Sequence, residues 1–256
     1  MGRSGRCVIG RSLNKAILSA WGEVDLIAPA SGGARSDVWI AEVNGERCAV
    51  RRSSRDSDAL EWELDTIESA RRTGFGAPRV VHTMTGERSS AGVVVQEFVD
   101  GVRPTTTEHW HAVRRYLVEL HASFNNRLQR PGFASALDLL ERDRGGDVDL
   151  TAMPEEAVAR CRAAWARIES YPCSLVHGDP HPDNIVITAA GVVLLDWDES
   201  RVDVSLFDLA ALPDEVSPLD HVDRQIASQA ASAWEAAVSW RQEPDYARRR
   251  LREVTP

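Results

Sequence analysis

Lysine is almost absent from this chain. Of its 30 lysines and arginines only Lys15 is a lysine, so any task that a lysine commonly performs falls here to arginine. Cysteine is scarce and scattered. Cys7, Cys48, Cys161 and Cys173 form no CxxC pair, which argues against a zinc site or a disulfide framework and for reduced thiols. No apolar run approaches the roughly 18 residues of a membrane span. Arg11, Asn14 and Lys15 interrupt the opening segment where a secretory signal would be apolar. A soluble, cytoplasmic protein with no membrane partner is the expectation. Positive charge is not in excess either. The formal net charge of −9 disfavours a nucleic-acid partner and suits a cationic small molecule. No internal repeat stands out, and monomer and dimer both remain open.

What is present is ordinary globular material. The 256 residues are 43% hydrophobic and 27% charged, which suits one large domain or two lobes. The first hundred read mainly as strands. "DVWIAEV" and "ERCAVRR" flank Asn44-Gly45, a hairpin signal, and follow a small loop, "SGGARS". "PRVVHTMTG" and "AGVVVQEFV" read as two further strands. Between the two pairs, 58–72 reads as a helix. Asp58 and Glu61 make a capping box, Leu60, Leu64 and Ile67 an apolar stripe, and Gly74 the stop. From Glu108 onward the pattern turns helical. Trp110, Val113, Leu117, Leu120 and Phe124 recur at three-and-four spacing. Further helices are expected over "PEEAVARCRAAWARIESY", 219–240 and 246–252.

One segment breaks this pattern. "LVHGDPHPDNIVITAAGVVLLDWDES", 175–200, sets aspartates, histidines and an asparagine around two runs of β-formers. Read as a hairpin, its arms are 185–188 and 192–195 and its turn 189–191. With Ala190 at the centre, Asn184 and Asp196 are opposed, ~4.5–5.5 Å apart at Cα. An amide and a carboxylate there are hard oxygen donors. They suit Mg²⁺, which takes one or two protein oxygens and completes its shell with water and phosphate. Asp179, across a loop stiffened by Pro180 and Pro182, can face the same point and orient or deprotonate an attacking hydroxyl. Two other readings compete. Asp and Asn commonly end strands by capping turns. His177, Asp179, His181 and Asp183 also have the composition of a transition-metal cluster of metallophosphatase type, although one segment would then supply nearly every ligand.

"HGDPHPDN", then "LLDWD", then Asp208-Leu209-Ala210 come in the order and approximate spacing of the aminoglycoside phosphotransferase family. The chain resembles that family, part of the protein-kinase-like superfamily with choline and homoserine kinase relatives, over about residues 31–210. The resemblance implies an α+β, two-lobed protein-kinase-like fold. Residues 1–96 would be a nucleotide-binding lobe, an antiparallel sheet with one main helix. Residues 97–103 would connect the lobes, and 104–256 would form a larger, mainly helical lobe for catalysis and substrate. It implies Asp179 as the catalytic aspartate, Asn184 and Asp196 as Mg²⁺ ligands, His177 as a structural residue of the catalytic loop and Asp208 as its hydrogen-bonding brace. Where the family often has Gly-Asp-Pro, this chain has Val202-Asp203-Val204. In the first lobe Arg51 takes the place of the phosphate-binding lysine and Glu63 is its pairing partner. The resemblance further implies that Gly32 and Gly33 belong to the loop over the nucleotide phosphates, and that the backbone of Glu97 and Val99, with Gln96 behind it, would meet the adenine. His121 also echoes the family, with a satisfied core histidine as the plainer role.

The implied activity is transfer of the γ-phosphoryl of ATP, or GTP, with Mg²⁺, to a hydroxyl of a small molecule. An aminoglycoside or related cationic antibiotic is the first expectation, giving resistance. Asp198, Asp214 and Glu215, with Asp220 and Asp223, lie where such enzymes gather carboxylates against substrate amines; a solvated acidic loop is the competing explanation. A kinase of a metabolite such as choline, homoserine or a sugar would use the same catalytic residues. Arginine at position 51 leaves room for a nucleotide-binding pseudokinase, against which Asp179, Asn184 and Asp196 together speak.

Overall fold

The computed structural model describes residues 13–30 and 38–255. The chain divides into two compact units, Met1–Arg71 with Ala77–Asp100, and Arg72–Gly76 with Gly101–Pro256. The first holds a short helix α1 (Lys15–Leu18), an antiparallel sheet and a helix α2 (Ser57–Arg72). The sheet has strands β1 (Val24–Pro29), β2 (Val38–Val43), β3 (Glu46–Arg52) and β4 (Val93–Glu97) in that spatial order. Asn44 and Gly45 join β2 to β3 with φ of 50° and 84°, the left-handed pair that a two-residue hairpin turn needs to match strand twist. The core of this unit packs Trp21, Ala41, Cys48, Val50, Val93 and Val95.

Two local expectations change here. "PRVVHTMTG" forms no named strand. Val80 makes a single bridge to Gln96, and the turn in which Thr83 N–H donates to the Glu87 carbonyl (2.8 Å) ends the pairing. The start of α2 is also not the Asp58–Glu61 box. The Asp56 side chain accepts from Ala59 N–H (2.9 Å) and its carbonyl from Leu60 N–H (3.0 Å). Asp56 is therefore the cap, and Asp58 sits inside the first turn. Glu61 instead pairs with Arg88, which also reaches Asp65 and Glu68.

The second unit is mainly helical: α3 (Thr107–Ser123), α4 (Glu155–Ala166), α5 (Leu206–Leu209), α6 (His221–Ser239) and α7 (Pro244–Glu253), with a two-residue ribbon of β5 (Arg144–Gly145) and β6 (Val148–Asp149). The stripe read in the sequence buries Val113, Leu117 and Leu120 of α3 completely. α4 stops short of Tyr171, because the chain tightens into three-residue bonds from Trp165 to Ile168 (3.1 Å) and from Ile168 to Tyr171 (3.1 Å). Its Trp165 packs edge-on against Trp234 of α6 at 6.3 Å. Small residues on α6, among them Ala230, Ala233 and Ala237, let that ring approach. No helix among the described residues is long and apolar enough to cross a membrane.

Two small sheets carry the polar segment. β7 (Cys173–Val176) pairs antiparallel with β10 (Arg201–Val204), Val176 facing Arg201. β8 (Ile185–Thr188) and β9 (Gly191–Leu194) form the hairpin, with Thr188 facing Gly191 and Ile185 facing Leu194. The turn is therefore Ala189-Ala190 alone. The Thr188 hydroxyl accepts from Ala190 N–H (3.1 Å) and donates to the Gly191 carbonyl (3.0 Å), which closes it one residue early. This corrects the expected register: Asn184 lies opposite Leu195, whose N–H donates to the Asn184 carbonyl (2.8 Å), and not opposite Asp196. Both outer edges of the hairpin are held. Ile187 exchanges two bonds with Val102 (2.8 and 3.0 Å), and Leu194 N–H donates to the Gly76 carbonyl (3.0 Å).

Candidate active site

β7 delivers the chain into His177-Gly178-Asp179. Gly178 has φ of 89°, and a Cβ there would stand 2.5 Å from the Glu199 carbonyl oxygen, so only glycine fits this corner. Asp208, wholly buried on α5, holds the loop by its backbone. Its Oδ2 accepts from His177 N–H (2.8 Å) and its Oδ1 from Gly178 N–H (2.9 Å). The ring of buried His121 bonds Oδ2 as well (2.9 Å). Burial alone would push the Asp208 carboxyl up, but the bond and charge of His121, the charge of His177 and the Gly178 amide outweigh it and leave it below the ordinary carboxylate range.

His177 points inward. A carbonyl can only accept, so its Nε2–H donates to the Leu195 carbonyl (2.7 Å), and its ring packs edge-on against Trp197 at 5.1 Å. His181 accepts from Asp183 N–H (3.3 Å), and Asp183 pairs with Arg103 at 2.7 Å. The four residues of the metallophosphatase-like reading thus do not converge on one point: His181 and Asp183 lie together at 3.7 Å, while the His177 ring is turned to Leu195. Among the described residues no group of three or more His, Cys, Asp or Glu side chains gathers to hold a metal.

Asp179 is exposed. The Asn184 amide nitrogen donates to the Asp179 carbonyl (3.0 Å) and to its Oδ2 (2.9 Å). This commits the nitrogen of Asn184 and leaves its oxygen for a ligand. Asp196 turns out of β9 in the left-handed region, φ 53° and ψ 70°, a conformation that Asp tolerates better than most residues. Its Oδ1 is buried with no hydrogen-bond partner, an arrangement that costs free energy unless something meets it. One amide oxygen and one unmet carboxylate oxygen are a donor set that fits Mg²⁺.

Arg51 and Glu63, both buried, form an ion pair inside the first unit. Gln96 is buried. The Glu97 N–H already donates to the Arg79 carbonyl (2.9 Å), and its carboxylate binds Arg71 (3.0 Å) and Arg79 N–H (2.7 Å). Val99 is half-buried. Gly32 and Gly33 lie outside the described residues. Several acidic residues have local partners. Asp214 pairs with Arg224 at 3.2 Å. Asp220 caps α6 through Asp223 N–H (2.8 Å), and Asp223 accepts from the Tyr171 hydroxyl. Glu215 is exposed and Asp198 half-buried. Asp203 is wholly buried, pairs with Arg201 at 2.8 Å and accepts from Val204 N–H (2.8 Å). Gln129 and Arg130, which no motif flagged, reach the segment after Asp196 (Asp198, Ser200 and Val202).

The sequence profile described as "Phosphotransferase enzyme family" (APH) matches residues 26–252. The chain belongs to that family. No curated protein sequence matches it. Among solved structures, the choline kinase LicA from Streptococcus pneumoniae is similar at 15% identity and a TM-score of 0.67, over 93% of this chain and 94% of that one. The gentamicin complex of APH(2")-IIa is similar at 14% identity and a TM-score of 0.59, over 93% of each chain. The amicoumacin kinase hAmiN, in complex with AMP-PNP, Ca²⁺ and Ami, is similar at 17% identity and a TM-score of 0.59, over 89% of this chain and 78% of that one. The fold is protein-kinase-like, and the protein is a phosphotransferase.

Proposed function

We propose that this phosphotransferase moves the γ-phosphoryl of ATP, or GTP, to a hydroxyl of an amine-bearing small molecule, with an aminoglycoside or related cationic antibiotic as the first substrate class. The observation that carries the chemistry is the triad of groups at the catalytic loop: exposed Asp179, Asn184 bonded to it, and Asp196 with an unmet buried oxygen. Asp179 receives the proton of the acceptor hydroxyl as that oxygen attacks phosphorus, and the Asn184 amide fixes the carboxylate's rotamer. Asn184 Oδ1 and Asp196 Oδ1 would hold Mg²⁺, which when bound neutralises phosphate charge. Arg51, set by Glu63, takes the phosphate-binding role, and its guanidinium can grip two oxygens where an ammonium grips one. The adenine edge is left the Glu97 carbonyl and the Val99 N–H, since the Glu97 N–H is committed. Asp198, Asp214 and Glu215 are the carboxylates proposed to face substrate amines.

A second reading, a kinase of a metabolite such as choline or another amino alcohol, is favoured by one observation: Asp214, Asp220 and Asp223 are each engaged locally. A smaller cation needs fewer carboxylates. The separating experiment expresses the wild type or Asp179→Ala in a susceptible bacterium. Growth is then scored against aminoglycosides, spectinomycin and cyclic-peptide antibiotics. Protection by the wild type alone supports an antibiotic acceptor. No protection, with the purified enzyme still consuming Mg²⁺–ATP on a panel of amino alcohols, supports the metabolite reading.

A further inference from the structure

The segment that follows Asp196 presents three successive carbonyls, Asp198, Glu199 and Ser200, and each meets a buried arginine. Arg130 is 1% exposed. Its Nη1 donates to the Asp198 carbonyl (2.7 Å) and to the Ser200 carbonyl (3.1 Å), with its guanidinium 4.4 Å from the Phe133 ring centre. Arg201, equally buried, donates to the Glu199 carbonyl (3.3 Å) and is anchored by Asp203. That same Glu199 carbonyl lies against Gly178 of the catalytic loop. Beside Arg130, the Gln129 amide donates to the Val202 carbonyl (2.7 Å) and accepts from the Val202 N–H (3.0 Å). A side chain thereby completes the free edge of β10, whose other edge pairs with β7.

We infer that Gln129 and Arg130 are positioning residues for the phosphoryl-transfer site. They fix the carbonyls of Asp198, Ser200 and Val202, so Asp196 keeps its left-handed backbone and its carboxylate in place, and the same segment keeps its register on Gly178. A buried cation is retained here because hydrogen bonds to charged donors are stronger and more directional than neutral ones. Fixing the segment before ligand arrives lowers the ordering cost of binding. This inference rests on the proposed role of Asp196.

The test uses the full chain and two readouts. One is calorimetric affinity for a non-hydrolysable ATP analogue with and without Mg²⁺; the other is amide hydrogen exchange over 196–204. Wild type and Asp196→Asn come first, and Mg²⁺-dependent binding lost in Asp196→Asn upholds the role of Asp196. Arg130→Ala is then expected to lose about tenfold in Mg²⁺-dependent affinity, with metal-free affinity unchanged. Exchange should rise in 196–204 and not in α4 or α6, and millimolar guanidinium should restore part of both. Gln129→Met, at a half-buried position, should show a smaller shift of the same kind and serves if Arg130→Ala does not fold. Unchanged affinity and unchanged exchange in a folded variant overturn the inference. If the wild type itself shows no Mg²⁺-dependent binding, the role of Asp196 fails. Exchange in 196–204 then decides the clamp by itself: a rise in the variants supports it, and no change overturns it.

Discussion

At the scale of single residues, the strongest effects belong to buried charges with few alternatives. Arg51→Ala would break the buried ion pair with Glu63, and breaking a buried pair by removing one partner typically costs about 3–5 kcal/mol. Arg51→Lys keeps the charge in the same pocket. It is expected to retain most of the stability but to weaken nucleotide binding, because a point ammonium replaces a fork. Urea unfolding and calorimetry separate the two effects. Asp179 is exposed, so Asp179→Ala should unfold at the wild-type temperature while turnover falls about 10²-fold or more. Asp208 gives a pH signature. Its carboxyl is held below the ordinary carboxylate range in the folded chain, so its ionised form stabilises the fold above that range. The contribution is lost as pH falls through the lower, folded value. Asp208→Asn should therefore be less stable than the wild type at neutral pH, with the gap narrowing toward pH 3. A gap that stays constant over that range would refute the assignment. His177, Asp179, Asn184, Asp196 and Asp208 were legible in the sequence because their spacing within one segment forms a recognisable series. Arg130 and Gln129 were not. An arginine between a loop glutamine and a proline gives no sign that it will be buried against a segment some seventy residues away.

At the scale of elements, local chemistry decided more than periodicity. The apolar stripe predicts a helix over 58–72 and the structure has it over 57–72, but the cap is Asp56 and not Asp58, two aspartates that are equivalent in a string. Asp56→Ala should cost about 1 kcal/mol, the usual worth of a cap, and Asp58→Ala much less. Thermal unfolding of the two variants checks this directly. The run of β-formers implies a hairpin with arms 185–188 and 192–195; the first arm stands, and the second lies one residue earlier, at 191–194, which shifts the register by one. Two or three turn residues are both compatible with "TAAG", and only the Thr188 hydroxyl, by bonding both Ala190 and Gly191, selects two. The segment 78–86 looked like a strand by composition. It pairs at one position, because Pro78 brings no N–H and the chain turns back at Thr83.

At the scale of the whole molecule, ligand binding should report the site through stability. At a concentration of about 100 times its dissociation constant, Mg²⁺–ATP should stabilise the wild type by roughly 2.7 kcal/mol by mass action. That raises the unfolding temperature by several degrees for a chain of this length. Asp196→Asn should show no such rise, and a rise equal to the wild type's would count against Asp196 as the metal ligand. The sequence by itself determined the α+β class, the family, the hairpin at Asn44-Gly45 and the grouping of polar residues that carries the proposed site. All of these follow from contiguous patterns, in which period, turn chemistry and spacing lie within a short window. Tertiary structure alone decided that His121 joins Asp208 in bracing the loop and that the acidic residues near α6 are engaged locally. It also decided that Arg130 meets the carbonyls after Asp196. The Arg130–Asp198 and His121–Asp208 contacts span 68 and 87 residues of chain, and the free energy that selects them is that of burying a charge only where enough acceptors converge, a condition that no local stretch of sequence can state.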